Sequence, residues 1–219
     1  MTEADAAGGA PRFDEAFRRQ LDMLIRWRRD VRDFRPDAVD PALLEHLLEL
    51  AGLAPSVGHS QPARFVLVET PAARAAVRRN FVRSNRDALA EYSGERARLY
   101  ARLKLAGLDR APVHLAVFCD DATPAGHGLG RKTMPETLRY SVVAAVQTLW
   151  LALRASGLGL GWVSILDPER LAADLGVSPS WDLVAYCCIG YPERESDRPE
   201  LARAGWQERD DACGRALRR

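Results

Sequence analysis

Between Pro135 and Ser156 the chain carries its longest helical pattern, and that pattern has no single polar side. Leu138, Val142, Val143, Val146, Leu149, Trp150 and Leu153 cover more than one face. A helix this apolar is central to the fold or to a subunit interface. Gly157 stops it. No apolar run here or elsewhere reaches the length of a membrane span, so the segment must be buried in protein and no membrane is expected.

Four short apolar runs read as strands: Arg64–Glu69, Val113–Cys119, Gly161–Leu166 and Leu183–Ile189. Helices surround them. Phe17, Leu21, Leu24 and Ile25 recur at helical spacing within Phe13–Trp27. Asp40-Pro41 supplies an N-cap and a proline at the first helical position for a second helix, which ends near Gly52. Residues 71–106 are charged and mostly helical, and Ser93-Gly94 divides them into two helices or a hinged lid. Asp120–Thr133 is a loop, Asp167-Pro168 caps a short helix to Leu175, and a polar arm with Trp206 follows Pro192. The balance is α/β or α+β, and strands separated by helices allow parallel pairing. One domain over residues 13–210 is expected, after a disordered segment 1–12 and before a flexible tail 211–219.

Composition narrows the function. The 219 residues are 47% hydrophobic and 28% charged with net charge +1, so neither broad nucleic-acid binding nor membrane-surface binding is indicated. The first dozen residues lack the basic and apolar parts of a signal peptide. Cys187 and Cys188 are adjacent and face opposite sides of a strand, while Cys119 and Cys213 stand elsewhere. Buried free thiols in a reducing cytoplasm fit that pattern. His46, His59, His114 and His127 have no metal-ligand spacing, so no metal is expected.

The positive charge is local instead, in residues 26–35 and 74–86. Arg28-Arg29-Asp30-Val31-Arg32 puts three arginines and an aspartate into five positions at the end of a helix. Such a cluster suits a phosphate, because the guanidinium fork matches phosphate oxygens. It also suits the negative end of a helix dipole. Asp30 is the anomaly in a phosphate clamp, since it repels an anion. Ala54–Pro62 is a loop of small residues that admits a flat ring, with Gln61 as donor and acceptor. Two glycine runs, Gly126–Gly130 and Gly157–Gly161, fail the dinucleotide fingerprint in spacing or in order along the chain. His114, inside an apolar strand, reads as packed, and Ser164, near Trp162 in a strand, reads by its residues alone as a satisfied core hydroxyl, the commoner outcome for such a position.

The arginine segment followed by Ala54–Phe65 (APSVGHSQPARF) resembles the flavin-binding nitroreductase-like superfamily. Arg131–Asp167 and the stretch from Cys188 to Arg209 resemble its 5,6-dimethylbenzimidazole-forming subgroup, and the likeness covers residues 13 to about 210. Asp30 stands where general nitroreductases usually carry serine. Ala63 departs from the tryptophan the subgroup often has after Ser-Gln-Pro.

The resemblance implies an α+β sandwich: a small mixed sheet flanked by helices, with a C-terminal arm, in a homodimer with flavin at the subunit interface. It implies that Arg28, Arg29 and Arg32 hold the FMN phosphate and ribityl chain, with Arg209 completing the phosphate site. Val31, Ser56, Val57, Gly58, Ser60 and Gln61 line the flavin, the backbone at Val163, Ser164 and Ile165 approaches the ring, and a lid over about 80–106 includes Lys104. In this subgroup reduced FMN is the substrate. With O2 it is fragmented to 5,6-dimethylbenzimidazole, the lower ligand of vitamin B12, and erythrose 4-phosphate, with Asp30 as general base and acid and Ser164 at the ring edge. A separate flavin reductase supplies the reduced FMN. An NAD(P)H-dependent FMN nitroreductase and a non-catalytic flavin-binding protein are the alternatives.

Overall fold

The computed structural model describes residues 10–102, 107–210, 214–216 and 218–219. Lys104, Cys213 and parts of the expected N-terminal segment, lid and tail lie outside the described residues.

Four strands, Ala63–Leu67 (β1), Val113–Asp120 (β2), Gly159–Val163 (β3) and Trp181–Gly190 (β4), form one sheet in the order β1-β2-β4-β3. Every pair of neighbours is antiparallel. The parallel pairing that the strand–helix alternation allows is not used between strands. The connections from β1 to β2 and from β3 to β4 re-enter the sheet at the end they left, so these neighbours run opposite ways, while the connection from β2 to β3 crosses over to a strand two places away. The parallel contact that is present is the isolated bridge Asp30↔Leu160.

The alternation of β2 separates two cores. Leu115, Val117 and Cys119 face one side of the sheet, while Ala116 and Phe118 face the other. On the first side lie Pro41–Gly52 (α2) and the long helix, which spans Thr137–Ala155 (α6). On the second lie Pro71–Ala90 (α3) and Pro168–Leu175 (α7). Cys187 joins the first core and Cys188 the second, as their adjacency requires. The result is three layers, helices on both faces of an antiparallel sheet.

The helix starts follow local chemistry. Asp14 accepts from Phe17 N at 2.8 Å before Glu15–Trp27 (α1), and Asp40 accepts from Ala42 N at 3.0 Å before α2. Asp167 accepts from Arg170 N at 3.0 Å, and Gly176 closes α7 in the left-handed conformation. α3 runs unbroken to Ala90, and Asn80 within it is clamped to Asp167 by two hydrogen bonds of 2.9 and 2.8 Å. The break falls at 91–93, after which Gly94–Arg102 (α4) begins with Gly94 at φ +57°. The short helix Gly107–Arg110 (α5) leads into β2, and Glu200–Arg203 (α8) lies in the arm.

α6 meets the sheet with Val142, Val146, Leu149 and Leu153, and lies against α2 and α1 on other sides. α1 itself has no buried residue, and Phe17, Met23 and Ile25 are exposed on it.

Candidate active site

The site begins with the approach of the arginine segment to the edge of β3. Val31 N donates to Leu160 O at 3.0 Å, and Asp30 bridges Leu160. Glycine makes this approach possible. A Cβ on Gly161 would stand 2.1 Å from Val31 O, and one on Gly159 would stand 2.5 Å from Val31 Cγ2. The Gly157–Gly161 run therefore serves backbone contact, not a nucleotide loop.

That contact places Asp30. Its Oδ1 accepts from Trp162 N at 2.9 Å, and its Oδ2 meets Arg32 Nε at 3.3 Å. Burial raises the Asp30 carboxyl above its ordinary range, against the opposing pull of the Trp162 N–H and of Arg32 and Arg28. Asp30, Val31 and Arg32 line a small cleft with Gly161, Trp162 and Val163. The expected ring-facing backbone at Val163 thus stands beside the expected acid. Ser164 lies just past the end of β3 and is exposed, so it is not a core hydroxyl. Ile165 is half-buried beyond it.

The arginines are held in different ways. The Arg28 guanidinium lies over the Trp150 ring, 4.5 Å from its centroid. Arg29 donates to the carbonyls of Arg28, at 2.7 Å, and of Asp197. Its pKa is lowered by burial first and then by the charge of Arg28, with a further lowering from Arg209. The charges of Arg28 and Arg209 thus both bear on Arg29, against the opposing pull of Asp197. A phosphate would add a counter-charge there, so these residues fit the group.

The 56–61 loop is built elsewhere on the chain. Val57 N donates to Ser141 Oγ at 3.0 Å, and Ser56 Oγ accepts from Gln61 N at 3.0 Å. Gly58, His59 and Gln61 all have positive φ. The Gly126–Gly130 run packs against this loop, since a Cβ on Gly126 would stand 2.6 Å from Gly58 O. Ser60 is buried there and its hydroxyl has no hydrogen-bond partner among the described residues. Ser141 and Trp150 are nine residues apart on α6, about 13 Å along its axis. A single chain thus carries the two expected groups apart on one helix: the arginine–Asp30 group near Trp150 and the loop near Ser141.

The arm and the charged helices meet through aromatics. Trp206 packs edge-on against Tyr92 at 5.6 Å, and Tyr92 stacks on Tyr100 at 5.0 Å. Arg96 donates to Trp206 O at 2.9 Å. His114 is buried and shares a 2.8 Å hydrogen bond with Tyr186, so it belongs to the core. Trp150, Trp162 and Ser141 were not singled out by sequence as site residues. Their signals, an indole in an aliphatic stripe and a serine inside a helix, also describe ordinary core residues.

The model of the family described as the nitroreductase family matches residues 25–191. The chain belongs to the nitroreductase family. Within it, a 5,6-dimethylbenzimidazole synthase of Rhodospirillum rubrum is 57% identical over 199 residues, covering 91% of this chain and 94% of that protein. A protein of the same name from Rhodobacter capsulatus is 50% identical over 196 residues, covering 90% and 95%. Among solved structures, oxidised iodotyrosine deiodinase bound to FMN and 3-iodo-L-tyrosine superposes with a TM-score of 0.68 at 27% identity, over 80% of this chain and 91% of that one. A BluB-like flavoprotein from Clostridium difficile shares the nitroreductase fold, with a TM-score of 0.65 at 22% identity over 82% and 93%. The antiparallel four-stranded sheet between helical layers is this family's α+β architecture.

Proposed function

We propose that this chain is a 5,6-dimethylbenzimidazole synthase that takes reduced FMN and O2 as substrates. The observation that carries the proposal is the carboxylate of Asp30 anchored by Trp162 N–H beside the arginine cluster, in a chain 57% identical to a synthase of that name. Reduced FMN and O2 supply the redox chemistry, in which the isoalloxazine is fragmented and ribityl C1′ enters the new imidazole ring.

The protein's own residues have distinct tasks. Arg28, Arg29, Arg32 and Arg209 hold the phosphate and ribityl chain. Arg29 does so from a guanidinium already engaged by the Asp197 carbonyl, which ties the arm to the clamp. Ser56, Val57, Gly58, Ser60 and Gln61 line the ring, and Val31 and the backbone from Val163 to Ile165 complete it. Lys104 is assigned to the lid by resemblance alone. Ser164, exposed at the end of β3, donates a hydrogen bond at the ring edge.

Asp30 exchanges protons at ribityl C1′. Oδ1 is fixed by Trp162, so Oδ2, restrained only by the longer Arg32 contact, is the atom that takes and returns a proton. Its raised pKa brings it closer to neutrality, where a carboxyl serves as both base and acid. A lid hinged at 91–93 and resting on Trp206 excludes water from the site.

The two groups along α6, as half-sites, and the exposed apolar side chains of α1 support a homodimer in which a second copy completes the flavin site. A separate flavin reductase supplies reduced FMN, and the reaction is placed in the cytoplasm. No helix among the described residues is long and apolar enough to cross a membrane.

The test is mass analysis of the products after the protein is mixed with reduced FMN in air without NADPH. Dimethylbenzimidazole and erythrose 4-phosphate are expected. Quantitative return of oxidised FMN would overturn the proposal.

A further inference from the structure

We propose that Trp150 is a positioning residue for the phosphate clamp and for Asp30. The inference rests on the reading of the arginine cluster as the FMN phosphate site. Trp150 sits on α6 among aliphatic core residues, and it is only 9% exposed. A buried indole N–H needs an acceptor. It finds one in the carbonyl of Arg29, at 3.2 Å. The face of the same ring carries the Arg28 guanidinium at 4.5 Å. One side chain thus fixes the backbone of one arginine and the head group of its neighbour.

The third contact extends this to the acid. The Trp150 ring lies 6.3 Å from that of Trp162, whose backbone N–H anchors Asp30 Oδ1 at 2.9 Å. Residues 28, 29 and 30 are therefore each tied to the Trp150–Trp162 pair. Stacking engages only the flat face of Arg28 and leaves its in-plane N–H donors for phosphate oxygens. A free arginine side chain loses much rotamer entropy when it grips a ligand, and a stacked one has lost it already. A leucine at position 150 would fill much of the space without the ring face or the N–H. A phenylalanine would keep a face and lose the donor.

The expected signature is loss of affinity that depends on the phosphate. Bind reduced FMN and reduced riboflavin, which lacks the phosphate, anaerobically to wild type, Trp150→Phe and Trp150→Leu, with thermal melting recorded alongside. Trp150→Leu should weaken FMN about tenfold and riboflavin less than about twofold, with Trp150→Phe between wild type and Leu for FMN. Loss of packing alone would lower the melting temperature and weaken both flavins by the same factor, and that result overturns the proposal. So would unchanged FMN affinity in Trp150→Phe and Trp150→Leu. If Trp150→Leu does not fold, the FMN-to-riboflavin ratio of Trp150→Phe decides. A wild type that binds the two flavins equally removes the phosphate clamp and this inference with it. The proposed reaction is judged separately, by its product.

Discussion

Gly161→Ala is the sharpest perturbation of the active-site scaffold. The new Cβ would lie 2.1 Å from Val31 O and 3.3 Å from Val31 C, both backbone atoms that cannot swing aside. An ordinary C···O contact is about 3.3–3.6 Å, so the 30–31 segment must retreat by more than 1 Å, roughly. That retreat breaks Val31 N to Leu160 O, at 3.0 Å, and pulls Asp30 off Trp162 N, at 2.9 Å. The first loss costs about 1 kcal/mol and the second, to an ionisable group, about 1.5–3 kcal/mol. Together they come to about 2.5–4 kcal/mol, which for a chain of this size lowers the melting temperature by about 5–15 °C. Calorimetry reads this directly, and anaerobic titration with reduced FMN should show weaker binding. Gly52→Ala is the control, because a Cβ there meets nothing within 4 Å. If Gly161→Ala melts with wild type and binds flavin normally, the glycine run does not set the position of Asp30.

His114 predicts a pH dependence. It is buried, and burial together with the charge of Arg74 pushes its pKa down to about 4 from an ordinary 6.5. The unfolded chain therefore binds the proton more readily, so stability is full above about pH 6.5 and falls as pH drops toward 4, by up to about 3 kcal/mol. Urea unfolding of wild type and His114→Gln at pH 5 and pH 7.5 should show a smaller pH difference in the variant. The exposed apolar residues of α1 predict a dimer: sedimentation should give about twice the 24.2 kDa chain mass. Replacing Phe17 and Met23, 41% and 60% exposed, with aspartate should yield a folded monomer with weakened flavin binding. A wild-type monomer that binds flavin at full strength contradicts this reading.

Elements with strong local signals were legible in the sequence. Asp40-Pro41 and Asp167-Pro168 start helices where their capping chemistry puts them, and α2 ends at Gly52 as read. The β3 boundary was less legible. The strand starts at Gly159, two residues earlier than apolar content suggested, because glycine shows no side-chain alternation. Strand direction depends on how long connections cross the layers, which no local pattern encodes. The arginine cluster and Asp30 stood out by charge alone. Their supports did not: Gly161 matters through the atom that its missing Cβ would strike, and Trp150 through two contacts over a sequence separation of more than a hundred residues. Such roles appear only when the partner is in place.

The most direct test of the account is the product yield of Asp30→Asn. Burial penalises the ionised carboxyl, which offsets the loss of the Arg32 contact, and the neutral amide can still accept from Trp162 N, so the variant should fold. Removing a negative charge near the phosphate should leave affinity for reduced FMN equal or higher. Mixed with reduced FMN and air, wild type should give dimethylbenzimidazole. Asp30→Asn should return oxidised FMN and form product about 10²–10⁴ times more slowly. Product formation at the wild-type rate by a folded, flavin-binding Asp30→Asn would contradict the assignment of Asp30 as the proton-transfer group.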